Sequence, residues 1–309
     1  MSLLLKPPSK RRRLRPPASP SHSKRDWKQI YFIYGLEQWR TLILLLLHAI
    51  LLASLSFFFL FHFSPITAFL HSNIHFLSLS TICFSVATLI SVLAFSSVFF
   101  VFAAGNVAHS AVTLRYEMAQ RMVGAVNDWS SVRTALDVGC GKGILLNAVA
   151  TQLKKSGSPG RVVGLDRSKP VTLSTLRTAD LEGVGEYVTC KEGDVRSLPF
   201  ADDYFDVVVS AVFIHTAGKE YGRNTVEAAA ERIRVLGEII RVLKPGGIGV
   251  VWDVMHVPEY VRRLRETKME GVTVSEKVTA FLMRSHIVSF RKPKDCAYAM
   301  ADVRLNWKF

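Results

Sequence analysis

The chain has 309 residues, four cysteines and a formal net charge of +14 at pH 7. Ten of its 39 Lys and Arg residues fall within residues 1–40, against two acids, so much of the basic excess belongs to one terminal segment and not to a nucleic-acid-binding surface. The cysteines form no Cys-x-x-Cys pair, which indicates neither a disulfide framework nor a zinc site.

Two long apolar segments follow the basic N-terminal segment. No Lys, Arg, Asp or Glu occurs between Arg40 and Arg115. Two stretches in this window are each long enough to cross a bilayer core of about 30 Å at a rise of about 1.5 Å per residue. The sequence therefore predicts a transmembrane hairpin over residues 41–104, with spans at about 41–63 and 77–104.

The distribution of cations predicts the orientation of this hairpin. Residues 1–40 are strongly basic, the connecting turn at 64–76 carries no charge, and Arg115 and Arg121 follow the second span. Because cytosolic flanks carry the excess of Lys and Arg, both ends and the catalytic part are expected on the cytosolic side. The aromatic residues before the first span predict an interfacial belt: Trp27, Tyr31, Phe32, Tyr34 and Trp39.

The basic segment leaves the choice of membrane open. The run at residues 10–15 favours a positive flank attracted to anionic lipid over a nuclear-import or nucleic-acid patch. An endoplasmic reticulum or other endomembrane location is predicted. Residues 1–25 are acid-free and rich in Ser, Arg and Pro, so organelle targeting stays an alternative.

A glycine-rich turn between an apolar strand and an apolar helix is the most informative motif. The strand ends at Asp137, and three glycines follow at alternate positions: Gly139, Gly141 and Gly143. A dinucleotide fingerprint would need a glycine at Ile144, and a phosphate-binding loop would need Ser or Thr after Lys142. The Asp137 carboxylate would repel phosphates, so it suits a cationic or amino-bearing ligand.

This pattern resembles motif I of the class I S-adenosylmethionine-dependent methyltransferases, whose cofactor carries a sulfonium and an ammonium. Further motifs follow in that family's order, and the stretch at 194–206 looks most like the type 11, ubiquinone-biosynthesis-like small-molecule branch. The resemblance covers residues 111–293. It implies a Rossmann-like α/β fold with a seven-stranded, mostly parallel sheet, helices on both faces, and a closing antiparallel pair at 272–285 and 286–292 after a helix at 258–270.

The predicted cofactor, S-adenosyl-L-methionine, needs ligands at the strand ends. Asp166 ends the second strand, where an acid can take both ribose hydroxyls. By resemblance, Asp194 lies beside the adenine amino group, and Cys140 is a small residue in the turn without a catalytic role. The predicted cofactor-binding residues are Asp137, Gly139, Cys140, Gly141, Gly143, Asp166, Asp194 and Val195.

Candidates for catalysis follow the fourth and fifth strands. His215 is placed to accept a proton from the methyl acceptor, although a histidine there could instead line the pocket or close a hydrogen bond. His256 and Tyr260 are substrate-side candidates. Asp206 begins its strand, away from the ligand edge, and is interpreted as structural. No metal-ligand cluster is found, and methyl transfer requires none.

Two observations predict the class of methyl acceptor: the absence of a motif of nucleic-acid methyltransferases and the closeness of the membrane anchor. The fourth strand is followed by Ser210-Ala-Val-Phe213 and not by the Asn/Asp-Pro-Pro-aromatic motif of enzymes that methylate base amines, so no nucleic acid is expected. A domain tied to the bilayer by about six residues after Ala104 favours a small, lipophilic hydroxyl or amine acceptor, or a lipid headgroup. Two alternatives remain: an inactive S-adenosylmethionine-binding membrane scaffold, and a nicotinamide oxidoreductase, which Ile144 disfavours. Residues 294–309 form an extension without an assigned function.

Overall fold

The computed structural model of the chain describes residues 27–35, 39–222, 224–280 and 283–294. Most of the predicted basic segment, and the C-terminal extension from residue 295, lie outside the described residues. The described part consists of an N-terminal helical region and an α/β domain.

Both predicted apolar segments are helical. Among the described residues, two helices are long and apolar enough to cross a membrane: Trp39–Phe61, with a mean hydropathy of 2.6, and Leu79–Gly124, with 2.4. The predicted turn between them is wrong, because residues Phe63–Asn73 form a further helix. Pro65 lies in its first turn, where the missing N–H needs no partner. The helices of this region are α1 Trp27–Tyr34, α2 Trp39–Phe61, α3 Phe63–Asn73 and α4 Leu79–His109.

The helices α2 and α4 pack as an antiparallel pair joined by two polar contacts. The Ser97 hydroxyl donates to the Ala49 carbonyl at 2.9 Å, and the Ser56 hydroxyl donates to the Ile90 carbonyl at 3.1 Å. Small residues at such an interface let the helix backbones approach closely. The outward faces carry large exposed apolar side chains, including Ile43, Leu47, Leu51, Phe58, Phe84, Leu89, Phe95 and Phe99.

The second apolar helix runs into the α/β domain without a break. A π-helical turn at Ser110–Leu114 joins α4 to α5, Arg115–Gly124, and together they make one helix of 46 residues. The six residues predicted to tie the domain to the bilayer after Ala104 are therefore part of this helix. Residues 106–123 contain neither Gly nor Pro, so nothing in the sequence ends the helix there. Ser110 and Val112 are fully buried, which fixes the junction against the domain.

Two aromatic residues of the predicted belt, Tyr31 and Tyr34 of α1, pack on the domain. Tyr34 is 3% exposed, and the Tyr31 hydroxyl lies 2.8 Å from the Thr113 hydroxyl in the π-helical turn. Trp27 contacts the Tyr116 ring edge-on. Only Phe32 and Trp39 of the predicted belt are largely exposed, together with the partly exposed Trp27. Aromatic residues bury large surfaces, so a docking face and a membrane belt look alike in sequence.

The predicted α/β sheet is present. Its strand order is β3-β2-β1-β4-β5-β8-β6, with β1 to β5 parallel and β8 antiparallel to both β5 and β6. The elements are β1 Thr134–Val138, α6 Ile144–Lys155, β2 Arg161–Asp166, α7 Lys169–Leu181, β3 Val188–Glu192, β4 Phe205–Ala211, α8 Val226–Val242, β5 Leu243–Asp253, α9 Val257–Glu266, β6 Glu270–Val274, β7 Val278–Ala280 and β8 Met283–Arg291.

The closing strands differ from the prediction in their bounds. The predicted strand at 272–285 is divided into β6 and the short β7, because the polar residues 275–277 interrupt it. The Ser275 backbone N–H donates to the Ile287 carbonyl, and the Ser275 hydroxyl accepts a hydrogen bond from the Ile287 N–H. The predicted helix at 258–270 ends at Glu266. β5 begins directly after α8, so the Pro-Gly-Gly segment lies within the strand and not in a separate turn.

The sheet is buried on both faces. Strand residues alternate between two apolar cores: Ala135 and Val207 face Met118 and Leu146, whereas Leu136 faces the opposite core around α8 and α9. At the start of β4, the Asp206 carboxylate accepts hydrogen bonds from the backbone of Arg133 and Thr134 and from Lys244. Asp206 therefore joins three segments of the sheet, as a structural residue would.

Candidate active site

A cleft of about 720 Å³ lies at the carboxyl ends of the parallel strands. Open α/β sheets bind their ligands at this edge, where the strand order reverses between β1 and β4. The cleft brings together seven of the sequence-predicted site residues: Asp137, Gly139, Cys140, Gly141, Asp166, His215 and His256. Val107 and Arg115, from the long helix, also line it.

The glycine turn has the backbone that the motif predicts. Gly139 adopts φ +74°, and a Cβ at this position would collide with the Phe213 ring. Gly141 adopts φ +49° and has open space on its Cβ side. Because only glycine adopts these angles without strain, the backbone itself forms one wall of the cleft and a ligand can touch it.

Asp137 is a buried carboxylate without a complete set of partners. Its side chain is 1% exposed, and its Oδ2 atom finds no hydrogen-bond donor among the described residues. Burial raises the pKa of this carboxyl to about 8, with a further contribution from the Asp166 charge and an opposing hydrogen bond from the Leu146 backbone. A buried acceptor in a cleft is a place for a ligand cation or N–H donor.

Asp166 holds the turn from the neighbouring strand. Its Oδ2 atom accepts a hydrogen bond from the Gly141 N–H at 3.2 Å, and its Oδ1 atom accepts one from the Ser168 N–H at 3.2 Å. A carboxylate has about four lone-pair sites, so two remain for a ligand diol. The side chain lines the cleft, as a ribose ligand must.

Three predicted cofactor residues do not line the cleft. The Asp194 side chain is 52% exposed and pairs with Arg167 at 3.4 Å, and the Arg196 backbone N–H lowers its pKa. Val195 is buried in the core under α8. A Cβ on Gly143 would touch the Thr175 methyl group, so this glycine serves the packing of α6 against α7.

Cys140 lines the cleft as a thiol. The neighbouring Cys190 thiol and burial raise the pKa of Cys140, so it is not a thiolate nucleophile.

A strained turn follows β4. Val212 adopts φ +51°, which is costly for a β-branched residue, and its N–H bonds to the Trp252 carbonyl at 2.7 Å. This turn places the Phe213 ring against Gly139 and carries the chain into the helical turn that holds His215.

His215 forms a dyad with Asp253, which the sequence analysis did not single out. The Nδ1 atom of His215 lies 2.5 Å from Oδ1 of Asp253, and the His215 backbone N–H donates to Oδ2 at 2.9 Å. Asp253 is fully buried, whereas the His215 side chain is 20% exposed in the cleft. Because the carboxylate accepts from Nδ1–H, the Nε2 atom keeps its lone pair and can accept a proton.

Further donors complete the Asp253 site. The Val254 N–H donates to Oδ1 at 2.8 Å, and the Tyr260 hydroxyl donates to Oδ2 at 3.2 Å. The structure therefore places Tyr260 behind the dyad and not on the substrate side. Burial and the Asp253 charge raise the pKa of Tyr260, which keeps its donor proton.

His256 remains in the cleft on the far side of β5. It adopts φ +59° at the start of α9, and its Nδ1 atom lies 3.8 Å from Glu259. Burial and the charge of the nearby Arg232 lower the pKa of His256, so its imidazole is neutral at physiological pH.

Asp253 could have been identified as a candidate site residue from its position at the end of a predicted strand. It is the last residue of β5, as Asp137 and Asp166 are near or at the ends of β1 and β2, and strand-end acids at this edge face the ligand. Its role could be assigned only from its contact with His215, because no spacing in the sequence shows that these two residues meet.

Comparisons with known proteins agree with this geometry. Residues 136–251 match a family described as a methyltransferase domain. The chain is 31% identical over 116 residues to the biotin biosynthesis bifunctional protein BioHC of Teredinibacter turnerae, which covers 37% of this chain and 18% of that protein. It is 34% identical over 111 residues to demethylmenaquinone methyltransferase of Lactiplantibacillus plantarum, over 36% of this chain and 40% of the relative.

A third relative is the 2-phytyl-1,4-naphtoquinone methyltransferase of Synechococcus elongatus, 34% identical over 133 residues, or 42% of this chain and 50% of the relative. The chain thus spans half or less of the length of these three relatives. The matched segment holds the glycine turn, the strand-end acids Asp137 and Asp166, and His215. The α/β part of this chain is therefore a class I S-adenosylmethionine-dependent methyltransferase domain.

Proposed function

We propose that this protein is a membrane-anchored methyltransferase that transfers a methyl group from S-adenosylmethionine to a hydroxyl or amine of a lipophilic small molecule or lipid headgroup. The observation that carries the proposal is the His215–Asp253 dyad in the same cleft as the glycine turn. A proton acceptor and a cofactor cradle in one cavity are the two parts that such a reaction needs.

The residues of the cleft fit the proposed cofactor. The unpartnered Oδ2 of Asp137 can accept from an ammonium, and Asp166 has lone pairs for a ribose diol. The glycine turn leaves the backbone open to contact. Asp194 is proposed to reach the adenine amino group only after release from Arg167, an exposed pair that is weak in water.

S-adenosylmethionine bound there would supply a methyl group on a positively charged sulfur and leave as the neutral thioether S-adenosylhomocysteine. The acceptor oxygen or nitrogen would form the new bond to carbon as the bond from carbon to sulfur breaks. The Nε2 atom of His215 would take the proton that the acceptor loses, and Asp253 would stabilise the imidazolium that results.

Membrane anchoring is supported by the outward surfaces of α2 and α4. Large apolar side chains are exposed along both helices, and a contiguous exposed apolar surface marks a membrane or partner contact. The pattern of cations supports an orientation with both termini in the cytosol. Two of the three relatives described above are named as methyltransferases of demethylmenaquinone and of a 2-phytyl-1,4-naphtoquinone, which supports a lipophilic acceptor.

The full chain reconstituted in phosphatidylcholine vesicles tests the proposal. Isothermal titration with S-adenosylmethionine, S-adenosylhomocysteine and NAD is expected to show micromolar binding of the first two and none of the third. Radiolabelled methyl groups should then pass from S-adenosylmethionine into the lipid extract of cells that express the gene and not into that of cells that lack it. Binding without transfer would indicate the inactive scaffold, and binding of NAD alone would indicate an oxidoreductase.

A further inference from the structure

The anchor helix is a wall of the active-site cleft and not only a tether. Val107 and Arg115 lie in the same helix as the second apolar segment, and both line the cavity that holds Asp137 and His215. Val107 is three residues beyond Ala104, the end of the predicted membrane-embedded stretch, or about 4.5 Å along the helix axis. The cavity therefore begins within one helical turn of the predicted bilayer boundary.

The cleft opens on the side of the domain from which the hairpin leaves. α5 and α6 run in the same direction along the sheet, with Arg115 and Ile144 at the cleft end and Gln120 and Gln152 together at the opposite end. The helix therefore approaches the bilayer from the carboxyl edge of the sheet. With the hairpin in a bilayer as proposed, this edge of the sheet and its cavity would lie next to the lipid surface.

Both ends of the hairpin are fixed to the domain, so this geometry is maintained. The π-helical turn after α4 is largely buried, and the Tyr31 hydroxyl of α1 contacts Thr113 in this turn and the Ala108 carbonyl near the end of α4. At the other end of α1, the Tyr34 carbonyl accepts a hydrogen bond from Lys142 in the glycine turn at 2.9 Å. The domain cannot swing away from the membrane without breaking these contacts.

The chemistry of the lining suits an amphiphilic occupant. Apolar side chains dominate the part contributed by β5, β8 and the long helix: Val107, Trp252, Val254, Met255 and Met283. Methionines adapt to irregular apolar partners. Polar groups lie deeper in the same cavity. They include His215 and the Trp252 indole, whose Nε1–H is buried and finds no acceptor among the described residues.

We infer that the acceptor is a lipid resident in the membrane, which enters the cleft sideways from the bilayer past Val107 with its polar head leading. The inference rests on the proposed function, because it assigns the class and the route of that function's acceptor. The apolar portion of the lipid remains along α4 while an oxygen-bearing head reaches His215 and the Trp252 indole. A lipid that enters in this way never has to leave the bilayer completely, so its tail stays out of water.

The test uses the full chain in phosphatidylcholine vesicles that contain a trace of phosphatidylcholine with a photoactivatable diazirine on one acyl chain. After illumination, mass spectrometry maps the labelled residues. Label is expected on α2 and α4 and also on the cleft residues Met255 and Met283. Label confined to the two spans, with none in the cleft, would overturn the inference.

A pair of variants makes the test specific. Val107→Trp narrows the entrance and is expected to lower cleft labelling at least five-fold without a change on the spans. Val98→Trp places the same side chain on the exposed outer face of α4, away from the cleft, and should leave cleft labelling unchanged. Equal cleft labelling in the two variants would also overturn lateral entry.

Titration of the same vesicles with S-adenosylhomocysteine separates this inference from the proposed function. A wild-type protein that fails to bind it contradicts the proposed function, whatever the labelling shows. Label in the cleft still supports entry from the bilayer in that case, and its absence still excludes it.

Discussion

The Nδ1 atom of His215 lies 2.5 Å from the Oδ1 atom of the fully buried Asp253. His215 follows β4 whereas Asp253 is the last residue of β5, and the two are 38 positions apart in the chain. Their contact fixes the imidazole by two hydrogen bonds, one through the ring and one through the backbone N–H. The free ring nitrogen is thereby oriented before any acceptor arrives.

Substitutions in the dyad are expected to affect turnover and not cofactor binding. His215→Ala should retain S-adenosylhomocysteine affinity and lose about 10² to 10⁴ in the rate of methyl transfer into the lipid extract. Asp253→Asn presents an amide to the ring and should also slow transfer. Tyr260→Phe removes one donor behind the dyad and serves as the control with a smaller effect. An unchanged rate and pH profile in His215→Ala would make His215 a pocket wall.

Two strand-end acids are expected to differ in their contribution to cofactor affinity. Asp166→Ala should weaken S-adenosylhomocysteine binding by about 1 to 3 kcal/mol, because charge-assisted hydrogen bonds to the ribose are lost. Asp194→Ala should cost less, because its carboxylate is half exposed and already paired with Arg167. Calorimetric titration of both variants measures the difference. Equal binding by wild type and Asp166→Ala would remove the ribose assignment.

Asp137 is expected to lower the stability of the ligand-free protein as the pH rises. Burial raises its pKa in the folded state to about 8, above the ordinary value of 3.8. Its contribution to stability is therefore complete below about pH 4 and is lost as the pH rises to about 8, by at most about 1.4 kcal/mol per pH unit. Asp137→Asn removes this dependence.

Melting temperatures of the detergent-solubilised protein at pH 5, 6.5 and 8 provide the measurement. Asp137→Asn should exceed wild type by a margin that grows with pH, while S-adenosylhomocysteine should no longer raise its melting temperature. A constant margin across the three pH values would contradict an unsatisfied, buried carboxylate at this position.

The hydrogen bonds that the Tyr34 hydroxyl of α1 makes with Asn147 and Glu182 are expected to support cofactor binding. The Tyr34 hydroxyl accepts a hydrogen bond from Asn147 at 3.0 Å and donates one to Glu182 at 3.2 Å. Tyr34→Phe should destabilise the protein by about 1 to 3 kcal/mol, since buried polar groups lose a partner. It should also weaken S-adenosylhomocysteine binding. Phe32→Ala, at an exposed position of the same helix, is the matched control and should change neither quantity.

Topology is tested by glycosylation. Acceptor sites inserted near Asn73 and near the C-terminus report the side of the membrane on which each lies. The cations before the first span predict modification near Asn73 and none at the C-terminus. A modified C-terminal site would place the catalytic part in the lumen and overturn the orientation.

The catalytic fold was predictable because each motif is local. Asp137 and the three glycines lie within seven residues, and the buried parallel strands have continuous apolar runs. The ends of the closing strands were harder to predict, because β7 is short and the Ile287 N–H binds the Ser275 side chain and not its backbone. The alternation of apolar and polar residues does not show where one strand ends and the next begins.

The arrangement around the dyad and the junction could not be predicted, because both depend on long-range packing. Nothing adjacent to Asp253 identifies His215 as its partner. The end of the apolar run at Ala104 marks a change in polarity and not the end of the helix, which continues to Gly124. Tyr34 shows the same limit, since its sequence context fits a lipid interface and its partners belong to α6 and α7.

In a protein anchored as proposed above, the uninterrupted helix from Leu79 to Gly124 would make the shape of the cavity depend on the thickness of the lipid around it. A helix whose apolar length exceeds the hydrocarbon layer tilts to remain immersed, and a thicker layer allows it to stand upright. Because Val107 and Arg115 belong to this one helix, a tilt of the span would strain the buried junction at Ser110–Leu114 and shift this wall of the cavity relative to His215. Membranes of different sterol content and thickness would then set different rates for the same enzyme without any ligand.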